Sequence, residues 1–528
     1  MESHPEERTV QEIALNNPII LTEILKQAAT PLRTARLVCH FWNEIALTLP
    51  NTRLSLILND KYFRDQDPFS FSALLFSLED RLAKRISFKC YTEVTYEDGE
   101  VEPTVFIYYF ASRLSHFCDK FSDTVQILEF SIDNEVCLKY IHQALTNWCH
   151  NLRRLRVFCE FTTLKEISLD PLPPKRKLQA FIIYSPIQAS VLGLTSFIQV
   201  VVNASPNLRN IKIPWGCFPN FANSKFLESL TISLEALCTH DIAAFEPSGL
   251  LRMLNQIGDQ LVSLYFGESD QIQCIDDYGL SNWTRKEFRL PKRMPKLEKY
   301  KNLLVDVFRC DDVLADFERM PVLKTLVIGK TDSTSSACLH EFLQTIFKAG
   351  KILGSVKNLK IFELHDPKLL EGLKTAFPNL VRLEVGTHSR TDERGEESGM
   401  KLGVVLKACG GWGGLKRIDL SLPRYPKEAR DVIPALLEGR ELFKGLKTFE
   451  IIYNLYTRIM KQHLTLDELD LFKELLLAMN GMDEIIISYL LQFSEKSERK
   501  IFEFMLSKNL TVSKFRIFQA KSTLFRSN

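Results

Sequence analysis

Residues 151–157, Asn-Leu-Arg-Arg-Leu-Arg-Val, decide the fold of this 528-residue chain. The pattern is Leu-x-x-Leu-x-Leu with aliphatic replacements, and it alternates apolar and polar positions as a half-buried β-strand does. The phrase returns along the chain and is often opened by Asn or Pro-Asn. Further copies begin at Asn207, Phe226, Val322, Asn358, Asn379, Leu415, Leu446 and Met482, with a weaker one at Leu178.

The copies recur at short but variable intervals. Their first leucines lie 36 residues apart between Leu323 and Leu359, and 21 residues apart between Leu359 and Leu380. One strand phrase reused at periods of about 20 to 40 residues is typical of a leucine-rich solenoid. Amphipathic helix candidates separate the strand phrases at Val136–Trp148, Leu250–Ile257, Ala337–Lys348, Lys368–Phe377, Asp431–Leu437 and Asp467–Met479.

No strand of this kind can bury its apolar side alone, so neighbouring repeats must stack. We therefore predict an α/β fold in the form of a horseshoe solenoid, with strands lining the concave face and helices the convex one. The alternative is a conventional α/β domain with parallel strands and crossover helices, which the repeated strand phrase disfavours. The carboxyl-terminal tail, Arg499–Asn528, is rich in basic residues. We interpret it as a last repeat strand, Val512–Phe518, and a C-terminal cap.

The amino-terminal segment has a different, helical pattern. Asn17 can cap a helix whose first turn holds Pro18. A second start signal follows at Thr30-Pro31. The first helix carries one apolar face, formed by Ile20, Leu21, Ile24, Leu25 and Ala28. The second stripe is formed by Leu32, Ala35, Val38, Cys39, Trp42 and Ala46. From periodicity alone, the two helices form an ordinary cap that closes one end of the following core.

The residues of this segment also resemble the F-box, a motif of about 40 residues that binds a Skp-type adaptor and so joins a cullin-based ubiquitin ligase. The matching features are Pro18, the pair Ile24-Leu25 and the run Val38–Trp42. Two features depart from the family pattern, since Asn17 stands where leucine is usual and Pro31 where an acidic residue is usual. The resemblance covers Leu15 to about Leu49, and the repeats resemble the cytosolic leucine-rich repeats that commonly follow an F-box.

The resemblance implies a set of residues that contact the adaptor or directly support the contact. These are Pro18, Leu21, Ile24, Leu25, Leu32, Leu37, Val38 and Trp42. It also implies three segments: a flexible terminus at 1–12, a helical F-box-like module at 13–50, and the irregular leucine-rich solenoid with its cap at 51–528.

Strand alternation predicts which side chains are free to bind a target protein. In residues 155–157 the leucine and valine point inward, so Arg154 and Arg156 point outward. The same logic gives the candidate target-binding residues Arg154, Arg156, Lys212, Tyr265, Glu363, Arg382, Glu384, Arg417 and Asp419. Their mixed charge favours a protein partner over a polyanion.

Composition limits the other partners. The net charge is +2, from 67 basic and 65 acidic residues, so no global charge attracts nucleic acid or a membrane. Twelve cysteines include no Cys-x-x-Cys pair, and no basic, apolar leader opens the chain. We expect a cytoplasmic or nuclear protein with reduced thiols. Leu178–Leu208 carries no charge but is interrupted by polar residues and proline, so we interpret it as a strand at Phe181–Tyr184 followed by a helix.

Catalytic motifs are not apparent. Gly329-Lys330-Thr331 resembles the end of a phosphate-binding loop, but the first glycine of that motif would fall at Lys324, inside a repeat strand. No nucleophile elbow or paired-histidine zinc motif occurs. We therefore predict no catalytic, metal or cofactor site. The chain is interpreted as the substrate-recognition subunit of an SCF-type ubiquitin ligase, with a Skp-type adaptor, a cullin and an unknown target as partners. The alternative is a non-catalytic leucine-rich-repeat scaffold whose helices only cap the solenoid.

Overall fold

The structure is a computed structural model, and the chain divides into two compact units, Met1–Phe226 and Leu227–Asn528. It describes residues 10–27, 34, 37–48, 56–59, 75–78, 83–90, 103–161, 167–185, 191–233, 247–267, 286–287, 289–305, 308–309, 313–330, 337–387, 390–391, 397–398, 400–422, 429–452, 463–488, 491 and 493–516.

The described helices at the start of the first unit are α1 (Val10–Leu15), α2 (Pro18–Gln27) and α3 (His40–Thr48). The predicted cap of α2 is confirmed, because Asn17 Oδ1 accepts hydrogen bonds from the backbone N–H groups of Ile19 (2.9 Å) and Ile20 (3.3 Å). Helix α1 overlaps the end of the stretch expected to be flexible.

The second apolar stripe was expected to run through one helix, and this expectation is wrong. Leu37 and Val38 lie in a turn, and α3 begins only at His40. The break falls beside a valine and a cysteine, which are weaker helix formers than leucine or alanine. Leu32, Ala28 and Ala35 lie outside the described residues.

Six parallel strands follow among the described residues of the first unit. Each strand pairs with the next one in sequence. They are β1 (Leu56–Asn59), β2 (Arg85–Cys90), β3 (Ile127–Ile132), β4 (Arg154–Cys159), β5 (Ala180–Tyr184) and β6 (Asn210–Pro214). The helices between them are α4 (Pro103–Lys120), α5 (Cys137–Asn147) and α6 (Val191–Ala204).

The part of the second unit that the structure describes continues the same pattern with ten parallel strands. These are β7 (Ser229–Ser233), β8 (Ser263–Phe266), β10 (Lys299–Asn302), β12 (Thr325–Ile328), β13 (Asn358–Phe362), β14 (Arg382–Gly386), β17 (Arg417–Ser421), β18 (Thr448–Ile452), β19 (Glu484–Ser488) and β20 (Phe515–Arg516). Two small side pairs join β9 (Lys286–Glu287) to β11 (Phe308–Arg309) and β15 (Arg390–Thr391) to β16 (Glu397–Ser398).

Nine helices of the second unit lie among its described residues. They are α7 (Pro247–Ile257), α8 (Val313–Glu318), α9 (Ala337–Lys348), α10 (Leu369–Ala376), α11 (Leu402–Cys409), α12 (Ala429–Leu437), α14 (Leu466–Ala478) and α15 (Glu495–Ser507), with the short α13 (Arg440–Phe443) between α12 and α14. From α8 to α12 each helix packs on the next, and α14 packs on α12 and α15, so the helices form a layer of their own.

The strand order distinguishes the two predicted architectures. In a doubly wound α/β domain the order of strands reverses at a switch point. Within each unit of this chain the main-sheet strands instead run parallel and neighbour one another in sequence order, without reversal. The prediction of an α/β leucine-rich-repeat solenoid is confirmed, and the six predicted helices lie within three residues of their expected bounds.

Two kinds of contact hold successive repeats together. Inward strand positions pack on helices, as Phe88 of β2 does on Phe110 and Phe117 of α4. The asparagines that open several phrases bond the preceding repeat: Asn151 Nδ2 donates to the backbone oxygen of Asp123 at 2.6 Å. Asn207 and Asn379 make the equivalent bonds to Arg176 and Gly354. This bonding explains why asparagine recurs at that position of the phrase.

Candidate interaction surfaces

The amino-terminal helices form a small core of their own. Leu21 and Leu25 of α2 are buried with Ala46 of α3, and the partly buried Phe41, Trp42 and Ile45 pack against them. The described members of this cluster all come from α2 and α3. Leu21 and Leu25 are therefore supports of the module, and Trp42 lies at its margin.

Beside that core lies a group of exposed apolar side chains. Ile24 is 41% exposed, Leu37 is 81% exposed and Val38 is 58% exposed. Ile20 and Pro18 are exposed as well. On a helix, Ile20 and Ile24 lie one turn apart on one face. We call Pro18, Ile20, Ile24, Leu37 and Val38 the apolar patch. The adaptor-binding residues of the sequence prediction thus fall into an inner group and an exposed group, with Leu32 outside the described residues.

The second candidate surface is the side of the main-sheet strands that faces away from the helices in each unit. We call it the strand face. In the first unit its centre is Glu129 of β3. Arg85 of β2 binds both Glu129 carboxylate oxygens at 3.0 Å, and Arg156 of β4 binds one of them at 2.9 Å. One acidic side chain thus lies between two guanidinium groups.

An aromatic column lies nearer the carboxyl ends of the same strands. Phe158 of β4 and Tyr184 of β5 are stacked, with ring centroids 4.5 Å apart and planes 3° apart. Lys212 of β6 places its Nζ 3.3 Å from the Tyr184 ring centroid. Since these residues lie on three consecutive strands, the Tyr184 ring is sandwiched between Phe158 and Lys212.

In the second unit the strand face carries a ladder of ion pairs. Asp419 of β17 binds Arg382 of β14 at 2.7 Å and Arg417 of its own strand at 2.8 Å. The ladder extends on one side through Glu384, which binds Lys360 and Arg382, and on the other through Glu450, which binds Arg417 at 2.8 Å. Burial, with nearby Asp419, raises the pKa of the Glu450 carboxyl despite the opposing effect of Arg417.

The predicted exposure is wrong for three of the target-binding candidates. Lys212, Glu363 and Asp419 are all buried, with 5%, 3% and 6% exposure. The Tyr184 ring of the preceding strand covers Lys212, while Asp419 is covered by Arg382 of the preceding strand and by Arg417 of its own strand. Glu363 follows β13 in a left-handed conformation (φ 62°), and its carboxylate accepts a hydrogen bond from His365 Nε2 at 3.0 Å.

The other candidates remain accessible. Arg154 is exposed, while Arg156, Tyr265, Arg382, Glu384 and Arg417 are half-buried. Sequence alternation thus placed these side chains on the correct side of the sheet. It carried no information on which of them their neighbours would cover.

Three other properties bear on function. Among the described residues, no group of three or more His, Cys, Asp or Glu side chains could hold a metal ion. Burial raises the pKa of Cys217 and of Cys409 to about 12. No helix in the described part of the chain is long and apolar enough to span a bilayer, and the uncharged stretch Leu178–Leu208 contains β5 and α6 instead.

Comparison with known proteins gives little beyond this geometry. No protein-family model matches the chain, and no curated protein matches its sequence. The Toll–Spatzle complex from Drosophila is 11% identical, with a TM-score of 0.23, and the match covers 78% of this chain and 51% of that one. The TLR13–ssRNA13 complex is 12% identical, with a TM-score of 0.24, and the match covers 79% and 57%. This chain therefore spans little more than half of either, and the fold class rests on the strand order.

Proposed function

We propose that this protein is a substrate receptor of an SCF-type ubiquitin ligase. The amino-terminal module, residues 13–50, binds a Skp-type adaptor and through it a cullin. The leucine-rich solenoid binds a target protein by its strand face. The target is then held near a ubiquitin-charged enzyme, so the rate increase comes from proximity and not from a nucleophile of this chain.

The observation that carries the proposal is the exposure of the apolar patch in a module that has a small core of its own. Leu21 and Leu25 are buried with Ala46, while Ile24, Leu37 and Val38 remain exposed. Burying one such aliphatic side chain contributes about 1.5 to 3 kcal/mol. Three of them contribute about 5 to 9 kcal/mol towards binding an adaptor that covers them, and this gain works against the free-energy cost of association. The resemblance of Pro18, Ile24-Leu25 and Val38–Trp42 to the F-box gives the identity of that adaptor.

The test is capture of a purified Skp-type adaptor by the full chain. A variant with Ile24→Glu and Leu37→Glu places charges in the apolar patch, and we expect it to lose adaptor binding. The matched control carries Ile352→Glu and Leu466→Glu, at residues of the second unit that are 62% and 73% exposed. This control should bind the adaptor as the parent chain does.

Exposed positions are the better choice for this test. Leu25→Ala would remove a buried side chain at a cost of about 2 to 5 kcal/mol, and it could abolish binding by unfolding the module. Circular dichroism of each variant confirms that its helices are retained. If the parent chain does not bind the adaptor, or if the Ile24/Leu37 variant binds it undiminished, the proposed function is wrong. The chain would then be a scaffold whose helices only cap the solenoid.

A further inference from the structure

The amino-terminal ends of the strands in the first unit are rich in cations. The residues that precede successive strands are joined by backbone hydrogen bonds of 2.7 to 2.9 Å. In each bond the N–H of the later residue donates to the carbonyl oxygen of the earlier one. The residues joined in this way are, in order, Lys84, Gln126, Arg153, Gln179 and Arg209. In this row, cations alternate with glutamines. The next row adds Arg85 and Arg154, and the following outward-facing row, two positions further along the strands, adds Arg156.

We call these six cations the basic strip: Lys84, Arg85, Arg153, Arg154, Arg156 and Arg209. Glu129 is the one acidic residue in the three rows among the described positions. Its carboxylate pairs with Arg85 and Arg156 and offsets part of their positive charge. Arg153 and Arg154 are exposed, and no ion-pair partner of either lies in the described part of the chain.

We propose that the basic strip binds an extended acidic segment of a target protein, whose carboxylates lie on alternate strands. This inference rests on the proposed role of the strand face in target binding. Neighbouring strands are about 4.8 Å apart, so cations on every second strand are about 10 Å apart. A segment in the polyproline II conformation has three residues per turn and advances about 3.1 Å per residue, so acidic residues at every third position lie on one side of it, about 9 Å apart, and match this interval.

The rest of the face restricts where such a segment lies. Asp133 and Glu160 follow the carboxyl ends of β3 and β4, one position beyond the last strand residue. Like charge there repels an acidic partner from that edge. The segment is therefore confined to the amino-terminal edge, where it runs across the strands from Lys84 towards Arg209.

A single-stranded nucleic acid is the competing polyanion, and two features disfavour it. Proteins that bind it without sequence preference offer aromatic rings for base stacking. The three rows of the basic strip contain no aromatic residue among their described positions. Tyr184, in the neighbouring row, is already covered by Phe158 and Lys212. Ile127 and Ile182 lie between the cations instead and suit aliphatic side chains of a peptide.

The test measures binding of labelled synthetic peptides of about a dozen residues to the full chain by fluorescence anisotropy. One peptide carries glutamate at every third position, a second has the same composition with its glutamates contiguous, and a third has glutamine in place of glutamate. A single-stranded oligonucleotide of similar length is the fourth probe. We expect the first peptide to bind most tightly and its affinity to fall as salt is raised.

The decisive variant is Arg153→Ala with Arg154→Ala, since both side chains are exposed and lack described partners. It should weaken binding of the first peptide by about ten-fold, which is about 1.4 kcal/mol. The matched control removes two exposed helix cations with Lys139→Ala and Arg252→Ala. Its peptide affinity should equal that of the parent chain.

Several results would overturn the inference. They are equal binding of the glutamate and glutamine peptides, equal binding of the two glutamate arrangements, an equal loss in the control variant, or tighter binding of the oligonucleotide.

Adaptor capture is measured on the same proteins. If the Arg153/Arg154 variant and its parent both capture the adaptor while the peptides fail to bind, only the acidic-segment inference is wrong. If the parent chain does not capture the adaptor, the proposed function is wrong, whether or not the peptides bind.

Discussion

Asp419 is the centre of the ion-pair ladder in the second unit, and its removal should destabilise that unit. The carboxylate is buried and accepts from Arg382 Nε at 2.8 Å and from Arg417 Nε at 2.8 and 3.0 Å. The substitution Asp419→Ala deletes both interactions and leaves two guanidinium groups that had been paired with it. Arg417 keeps Glu450, and Arg382 keeps Glu384.

The expected loss follows from this geometry. A hydrogen bond to a charged group contributes about 1.5 to 3 kcal/mol when buried. The two arginine side chains are 42% and 34% exposed, so water can replace part of what they lose. We expect Asp419→Ala to lower the free energy of unfolding by about 2 to 3 kcal/mol. Asp419→Asn keeps the shape and one acceptor oxygen, and it should cost about half as much.

The assay is equilibrium unfolding in urea, followed by circular dichroism. Glu298→Ala is the matched control, because Glu298 binds Lys324 of the next repeat at 2.8 Å with both side chains largely exposed. Such a pair contributes less than about 1 kcal/mol. If Asp419→Ala costs no more than Glu298→Ala, the ladder does not stabilise the second unit. Two overlapping transitions, one for each unit, would require separate fits before the values are compared.

Two further predictions concern packing and thiol chemistry. A Cβ at Gly372 of α10 would lie 2.6 Å from a Phe347 ring carbon of α9, so Gly372→Ala should cost about 1 to 3 kcal/mol in a urea titration. Gly413→Ala, which meets no atom within 4 Å, should cost far less. Because burial raises the pKa of Cys217 to about 12, iodoacetamide should leave it unmodified at neutral pH, and its alkylation should rise only as the pH approaches that value. Exposed Cys39 is the internal control, and mass spectrometry of the peptides shows which thiol has reacted.

Most of the fold could be predicted from the sequence, because each repeat has the same alternation of apolar and polar positions in its strand. Strands β4 to β8 and β12 to β19 of the main sheet coincide with Leu-x-x-Leu-x-Leu phrases or their variants. The structure adds strands that the phrase did not reveal. In β2 and β3 the inward positions include Phe88 and Phe130, which stack with centroids 5.6 Å apart, so a pattern written for leucine misses them. In β10 the buried inward position is likewise aromatic and is occupied by Tyr300.

The state of the strand face was harder to predict, since it depends on register between repeats. Alternation places Asp419 and Lys212 outward correctly. Whether each is then free depends on side chains about 30 to 40 residues away that the parallel pairing brings alongside. Arg382 lies 37 residues from Asp419 in sequence, and their contact closes only when β14 and β17 pair. The carboxylate is buried by that contact, and no local pattern encodes it.

The same register gives the two units different strand faces. In the second unit, Glu384, Asp419 and Glu450 alternate with Lys360, Arg382 and Arg417, so the charges satisfy one another. A charged partner that binds there must first break these pairs, and the cost offsets the new contacts. Among the described residues of the first unit, Glu129 is the acidic side chain that lies within the rows of the basic strip, and Arg153 and Arg154 have no ion-pair partner there. Recognition by charge therefore belongs to the first unit, while the ladder stabilises the second, so Asp419→Ala should unfold the second unit more easily yet leave binding of the acidic peptide unchanged.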